Sequence, residues 1–267
     1  MRFASINGLR IGFREVGGGP AAIVIIAGTL CDHQVWFATA EELGKAGFRV
    51  IVFDNRDIWV SDLALANYAV SDLAGDVLGV LDELRIEQAI VLGHSMGGQA
   101  AQELALMAPH RIRGLILACT FAQNDPYTRS IWQLWRTWRD RLDDNAFIAS
   151  VCSHVFAVPA LAKTTVQDLA SGFISHVARQ EPAAHLRNLA ALDAADTLTR
   201  LADIRIPTLV ISGEDDRVFP LYHSRQLVDG ISGATHVVIS GAGHNAFKEQ
   251  AVGFEEAVVE FSRSVLS

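Results

Sequence analysis

Apolar residues recur along the chain in short continuous runs rich in Val, Ile and Leu, and most runs are followed by a stretch with helical spacing. Continuous runs of this kind are typical of strands that are buried on both faces of a parallel sheet. The runs lie at residues 21–27, 48–53, 89–92, 114–119, 208–212 and 236–240. The helical stretches lie at residues 34–46, 71–84, 96–108, 222–228 and from 247 onward. Their alternation predicts an α/β fold with a mostly parallel, doubly wound sheet and helices on both of its faces.

Local signals refine two of these boundaries. Asn7-Gly8 separates the patterns at 3–6 and 9–15. Because both central residues of a type I′ turn need positive φ, this pair predicts a β-hairpin at the start of the chain. Ser71 is predicted to cap the helix that follows it, with Asp72 in the first turn favoured by the helix dipole.

The alternation of strands and helices stops between residues 121 and 203, where the pattern is helical throughout. Trp132, Trp135 and Trp138 recur there at three-residue spacing, which places them on roughly one helix face. Such a face either packs the helix onto the rest of the protein or forms part of a cavity wall. We predict a core made of residues 1–120 and 204–267, with residues 121–203 inserted as a helical lid over one end of the sheet.

Composition narrows the class of protein. The 267 residues are 50% hydrophobic and 19% charged, which provides for one large core. The net charge of −8 argues against a nucleic-acid surface. The longest apolar run is far shorter than the roughly 20 residues that span a bilayer, and the N-terminus shows no signal-peptide pattern. An odd number of cysteines without metal-ligand spacing indicates a reduced, cytoplasmic protein. The expected partner is therefore a small molecule, rather than a nucleic acid or a membrane.

The segment Gly93-His94-Ser95-Met96-Gly97 lies between a predicted strand and a predicted helix. In this context a G-x-S-x-G sequence forms a sharp turn that exposes the serine hydroxyl above the sheet edge. The first N–H groups of the helix point into the same space, where they can stabilise an anion. Ser95 is the predicted nucleophile.

A serine hydroxyl needs an adjacent base, and the base needs an acid that orients it. His244 lies just beyond the strand at 236–240, after glycines that let the loop curl back over the sheet edge. The stretch Glu214-Asp215-Asp216 follows the strand at 208–212 and offers three carboxylates. Asp216 is the first choice as the acid, Asp215 is the second, and Glu214 is the least favoured.

These motifs together resemble the α/β-hydrolase superfamily, in particular serine hydrolases of the esterase and lactonase type with a helical lid. The family has a Gly, two spacers, the acid, three spacers and a Pro, and Gly213, Asp216 and Pro220 match this pattern. The family's glycine before the base matches Gly243-His244. The resemblance covers nearly the whole chain and independently favours Asp216.

The resemblance also implies an oxyanion hole made of two backbone N–H groups. One belongs to Met96, directly after the nucleophile. The other comes from the loop after residues 21–27, where Thr29 matches the family and Leu30 is the alternative. The family often has His-Gly-X in this loop, whereas this chain has Ala27-Gly28-Thr29, which still supplies a backbone N–H. The implied mechanism needs no metal and no organic cofactor.

A second departure lies in the loop after residues 48–53. Relatives often have Asp-x-Arg-Gly-x-Gly-x-Ser, and here Asp57 and Trp59 replace the two glycines. Because Trp cannot cheaply adopt glycine's dihedral angles, either the loop has rearranged or its geometry permits Trp. Trp59 either walls the substrate pocket or packs elsewhere. Asp54 and Arg56 are expected to hold the loop by an ion pair.

The motifs and the resemblance together predict a serine hydrolase that cleaves a small apolar or aromatic carboxylic ester or lactone through an acyl-enzyme. The expected substrate-binding residues are Leu30, Trp59, Trp132 and Trp135. Carbon–carbon bond hydrolases and cofactor-free lyases or cyclases use the same fold and remain alternatives, because a fold does not fix a reaction. A ligand-binding receptor is an alternative of another class, but such a protein has no need of Ser95, Asp216 and His244 together.

Overall fold

An eight-stranded sheet lies at the centre of the structure, which is a computed structural model. It describes the backbone of residues 1–177 and 181–267, and the side chains of residues 1–171 and 181–267. The strands are β1 Arg2–Ile6, β2 Leu9–Val16, β3 Ala22–Ile26, β4 Arg49–Phe53, β5 Ala89–His94, β6 Ile112–Ala118, β7 Thr208–Gly213 and β8 Thr235–Ile239. Their order is β1-β2-β4-β3-β5-β6-β7-β8. β1 and β2 are antiparallel to their neighbours, and all the other pairs are parallel. The predicted mostly parallel sheet is confirmed.

The helices of the core cover both faces of this sheet. They are α1 Phe37–Lys45, α2 Val70–Glu83, α3 Met96–Met107, α9 Leu221–Gly230, α10 Ala246–Glu249 and α11 Ala251–Ser264. Alternate residues of the buried strands face opposite sides. Val24 packs in one apolar cluster with residues of α2 and α3, whereas Ile23 packs in a second cluster with residues of α1 and α11. The predicted doubly wound arrangement is confirmed, and burial on both faces explains why the strands read as continuous apolar runs.

The described part of the segment between β6 and β7 is mainly helical. Its helices are α4 Pro126–Arg141, α5 Asp144–Val155, α6 Val158–Leu161, α7 Val166–Val177 and α8 Pro182–Ala194. An isolated antiparallel bridge between Gln123 and Asp196 joins the two ends of the segment. The division into a core and a lid remains a prediction, and residues 178–180 of that lid lie outside the described residues. Among the described helices, none combines the length and the apolar character that a membrane crossing requires.

Two local predictions have different outcomes. β1 and β2 form the expected hairpin, with φ of 51° at Asn7 and 80° at Gly8. Ser71, in contrast, is not the cap of α2, because the helix already begins at Val70. The Asp72 carboxylate accepts a hydrogen bond from the backbone N–H of Ala69 at 2.8 Å. The Asp72 side chain thus satisfies the N–H of the N-cap residue from within the first turn, and the N-cap residue itself can be an alanine.

Candidate active site

Ser95 lies at the junction between β5 and α3 in a strained conformation, with φ of 54° and ψ of −118°. The chain can turn this sharply because of the glycines on either side. A Cβ added at Gly93 would overlap the carbonyl oxygen of Gly97, and a Cβ added at Gly97 would overlap the carbonyl oxygen of Ile26. The serine carbonyl accepts hydrogen bonds from the Gly98 N–H at 2.9 Å and from the Thr120 hydroxyl at 2.7 Å. These two hydrogen bonds hold the strained backbone of Ser95 in place.

His244 and Asp216 form a buried pair. The imidazole Nδ1 lies 3.0 Å from Asp216 Oδ2, and both side chains are at most 5% exposed. Asp216 Oδ1 accepts hydrogen bonds from the backbone N–H groups of Val218 and Phe219 at 2.8 and 2.9 Å. Because the carboxylate is fixed at both oxygens, it holds the imidazole with Nδ1 protonated and leaves Nε2 as an acceptor.

The other two carboxylates of this loop are directed elsewhere. Asp215 is exposed. Glu214 is also exposed, and it accepts hydrogen bonds from the Ser240 hydroxyl and the Gly241 N–H, which lower its pKa. Of the three neighbouring carboxylates, Asp216 is the one that the structure brings to His244.

Ser95 and His244 line the same cavity, although the structure shows no direct hydrogen bond between their side chains. Catalytic hydrogen bonds are often long in the absence of substrate and tighten when it binds. The three predicted catalytic residues thus converge at the carboxyl ends of the parallel strands, where open α/β sheets bind their ligands. A separate groove lies at the opposite end of the sheet, lined in part by Arg49, Arg85 and Arg113.

The loop after β3 passes directly beside the nucleophile. A Cβ added at Gly28 would lie 3.0 Å from the Cβ of Ser95. Thr29 and Leu30 follow and line the cavity, and Leu30 has a positive φ of 66°. Met96 is the first residue of α3, so its N–H has no partner within the helix. The backbone groups predicted to form the oxyanion hole therefore lie on two segments that border the same space.

The cavity above Ser95 is mostly apolar. Among the four predicted substrate-binding residues, Leu30 and Trp135 line it, whereas Trp59 and Trp132 do not. Trp132 is also buried, and its indole N–H donates to Asn124 Oδ1 at 2.7 Å. The full set of lining residues is Gly28, Thr29, Leu30, Cys31, His94, Ser95, Trp135, Ile148, Val151, Cys152, Val155, His244 and Asn245.

The loop after β4 keeps glycine-like dihedral angles without the glycines. Asp57 has φ of 69° and Trp59 has φ of 49°. The geometry of the loop thus permits Trp. The expected ion pair between Asp54 and Arg56 is wrong. Asp54 lies 3.0 Å from the Nδ1 of His33, and Arg56 donates to Asp76 at 2.7 Å, because the two neighbouring side chains leave the loop in different directions.

Burial controls the titration of the other groups around the cavity. It lowers the pKa of His94 to about 3, so this ring is neutral, and its Nε2 lies 2.9 Å from the carbonyl oxygen of His244. Burial also raises the pKa of Cys31 and Cys152 to about 12. Both thiols are therefore protonated at neutral pH and unreactive. The described residues contain no group of three or more His, Cys, Asp or Glu placed to hold a metal ion.

Contacts from the helical segment to the base loop, residues 240–245 between β8 and α10, could not be predicted from the sequence. The carbonyl oxygen of Val155, at the end of α5, accepts hydrogen bonds from the N–H groups of His244 and Asn245 at 2.9 and 3.3 Å. The Glu249 carboxylate accepts hydrogen bonds from the N–H groups of Gly243 and Ala157 at 3.0 and 2.7 Å. The backbone partners on the helical segment carry no side-chain signal of these contacts.

Comparisons with known proteins agree with the observed fold. The family model described as the alpha/beta hydrolase fold matches residues 21–251. A protein of Variovorax paradoxus named as a carbamate hydrolase, RutD, is 28% identical over 91% of this chain and 93% of its own length. A 2-hydroxy-6-oxononadienedioate/2-hydroxy-6-oxononatrienedioate hydrolase of Cupriavidus pinatubonensis is 32% identical over 94% of this chain and 90% of its own. The crystal structure of an enol-lactonase from Burkholderia xenovorans superposes with a TM-score of 0.89 at 28% identity, over 98% of this chain and all of the other.

Proposed function

Because the chain belongs to the alpha/beta hydrolase family, we propose that it is a serine hydrolase that cleaves small, uncharged carboxylic esters or lactones through an acyl-enzyme. One observation carries the proposal. The strained Ser95 and His244, which is paired with the buried Asp216, border one apolar cavity. This is the arrangement that a nucleophile, its base and an orienting acid require.

The proposed reaction has two steps. In the first, His244 removes the proton of Ser95 as the hydroxyl oxygen attacks the carbonyl carbon, and Asp216 stabilises the imidazolium that forms. The N–H groups of Met96 and Thr29 stabilise the negative charge on the carbonyl oxygen. His244 then protonates the departing alcohol oxygen. In the second step, a water molecule gives a proton to His244 and attacks the acyl carbon, and His244 passes that proton to the Ser95 oxygen as the acid leaves.

The residues that line the cavity favour a substrate with an uncharged acyl group. Within the described part of the chain, its lining includes no Lys, Arg, Asp or Glu. Burying a carboxylate without a cationic partner costs several kcal/mol, on the order that would abolish useful binding. The lining beyond the catalytic loops is formed largely by Trp135 and the apolar side of α5, including Ile148 and Val151. A short aliphatic or aromatic acyl group suits this surface.

Carbon–carbon bond hydrolysis is the second candidate. It is favoured by the 32% identity to a protein whose name specifies a dioate substrate. The absence of a cation among the described lining residues favours the neutral ester or lactone over a dicarboxylate.

For the location of the protein, we propose the cytoplasm, because all three cysteines are buried and unpaired.

A panel of p-nitrophenyl esters tests the proposal. We expect turnover of the butyrate and the benzoate, and at least about 100-fold lower kcat/KM for an ester of the same length that ends in a carboxylate. Ser95→Ala should leave at most roughly 10³–10⁴-fold acceleration over water. Undiminished turnover by Ser95→Ala would refute the nucleophile. Cleavage of a dioate ring-fission product without any ester or lactone turnover would select the second candidate instead.

A further inference from the structure

A buried asparagine of the helical segment contacts the loop beside the nucleophile. Asn188, on α8, accepts a hydrogen bond on Oδ1 from the Thr29 hydroxyl at 3.2 Å. Its Nδ2 donates to the Ala184 carbonyl oxygen and to the Tyr68 hydroxyl, each at 2.9 Å. Because a carbonyl oxygen can only accept, these bonds fix the orientation of the amide, and Oδ1 must be the atom that faces Thr29. Asn188 itself is fully buried.

The neighbouring residue anchors the same helix to the core. Arg187 donates two hydrogen bonds to the carboxylate of Asp57, at 2.8 and 2.5 Å, and the Asp57 side chain is fully buried. Asp57 also accepts a hydrogen bond from the Ala64 N–H at 2.8 Å. A paired, bidentate contact of this kind is rigid, and breaking it would leave a buried charge without its partner. Asp57, which stands where relatives often have a glycine, thus holds α8 against the core.

We propose that α8 positions the oxyanion hole through Asn188, so that acyl transfer is fast only while this helix is seated on the core. The inference rests on the proposed hydrolase function. Thr29 contributes two groups: its side chain is bound by Asn188, and its backbone N–H is the second donor of the oxyanion hole. Gly28, directly before it, lies against Ser95 and has no side chain to brace the loop. Asn55 Nδ2 holds the start of this loop by donating to the Ala27 carbonyl oxygen at 3.0 Å, and the Thr29–Asn188 hydrogen bond holds the residue that carries the donor itself.

The expected effect follows from the geometry of an oxyanion hole. A donor stabilises the transition state only when it lies about 2.7–3.1 Å from the oxyanion, and removing one donor costs about 10²–10³-fold in kcat. Without the hydrogen bond to Asn188, the Thr29 N–H is still present but is less well positioned, so we expect only part of this loss in kcat. Asn188 is therefore a positioning residue, which acts on kcat through Thr29 and leaves the apolar binding surface unchanged.

A double-mutant cycle between Asn188→Ala and Thr29→Val tests the inference with a neutral p-nitrophenyl ester. Each variant should lower kcat about 10- to 100-fold, a fraction of the loss of a whole donor, with KM within about threefold. The double variant should lose no more than the worse single variant, because both changes break the same contact. Thr29→Ser, which keeps the hydroxyl, should retain about tenfold more kcat than Thr29→Val.

Arg129→Ala is the matched control. It removes a 2.9 Å ion pair between α4 and Asp193 on the exposed side of α8 and does not touch the loop. We expect its kcat to match that of the wild type. Additive losses in the cycle, or a rise in KM with unchanged kcat, would overturn the inference while leaving the hydrolase function intact. A wild-type protein that neither cleaves esters nor reacts with a fluorophosphonate would overturn both.

Discussion

His244 is fixed at both its ring and its backbone. Its Nδ1 pairs with Asp216 at 3.0 Å, and its N–H donates to the carbonyl oxygen of Val155 at 2.9 Å. The other oxygen of Asp216 is held by two backbone N–H groups. The acid therefore cannot rotate without losing three hydrogen bonds, which gives the imidazole one orientation and one tautomer.

The substitution Asp216→Asn tests this role. The amide oxygen would keep the two backbone N–H groups, so its NH₂ would face His244 and force Nδ1 to accept. The wrong tautomer would then leave Nε2 protonated and unable to act as a base, and we expect kcat to fall about 10⁴-fold. Asp215→Asn, at the exposed neighbour, should stay within about twofold of the wild type in the same assay. Equal losses in both variants would contradict the choice of Asp216.

His185, on α8, makes stability depend on pH. Burial, with a smaller effect of the positive charge of Arg139, lowers its pKa to about 3. The unfolded chain binds this proton near pH 6.5, whereas the folded protein does not, so stability falls as the pH drops below 6.5. Each pKa unit is worth about 1.4 kcal/mol, which gives about 2 kcal/mol between pH 6.5 and 5 for this residue.

Urea unfolding of the wild type and of His185→Leu at pH 7 and pH 5 measures this dependence. The variant should lose about 2 kcal/mol less than the wild type between the two pH values, whatever its stability at pH 7. Parallel losses in both proteins would mean that His185 is protonated in the folded state at pH 5.

At the scale of single elements, the loop after β4 shows what a pattern can and cannot predict. The replacement of glycines by Asp57 and Trp59 was visible in the sequence, and both residues adopt the positive φ that glycine prefers. The partners of Asp54 and Arg56 were not visible. They lie on distant segments, at His33 and Asp76, and adjacency in sequence is a poor guide to the direction of two loop side chains.

The helical segment shows the same limit. The three-residue spacing placed Trp132 and Trp135 on one helix face, yet only Trp135 borders the cavity. Trp132 is rotated by about 60° around the helix, and it donates to Asn124 instead. A helical period indicates which side is buried, but the depth at which a side chain ends depends on the elements that pack against it.

Trp59→Gly and Trp135→Ala separate the two tryptophans by their effect on substrate range. Trp59 lies outside the cavity lining, so its replacement should leave the relative kcat/KM values for acetyl, butyryl and benzoyl esters within about twofold of the wild type, because no lining atom is removed. Trp135 lines the cavity, so Trp135→Ala should shift the preference toward larger acyl groups. A changed acyl preference in Trp59→Gly would place this side chain in the substrate path.

At the scale of the whole molecule, the helical segment contacts the loops that carry the base, the acid and the second oxyanion donor. Val155 binds the base loop directly, and Ala157 binds it through the Glu249 carboxylate. Asn188 binds the loop after β3, and Arg217, next to the acid, donates to the carbonyl oxygen of Ser153. The strands, the helices and the motif residues could be predicted because each has a local pattern. These contacts could not, since they join positions far apart in sequence and the partner on the helical segment is a backbone atom or a single buried amide.

Reaction with a fluorophosphonate, followed by intact-protein and peptide mass spectrometry, tests the central claim most directly. A fluorophosphonate reacts with a serine only where a base activates it and donors stabilise the oxyanion. We predict one adduct per chain, on the peptide that contains Ser95, and its loss in both Ser95→Ala and His244→Ala. An adduct on another residue, or one that persists in His244→Ala, would contradict the account.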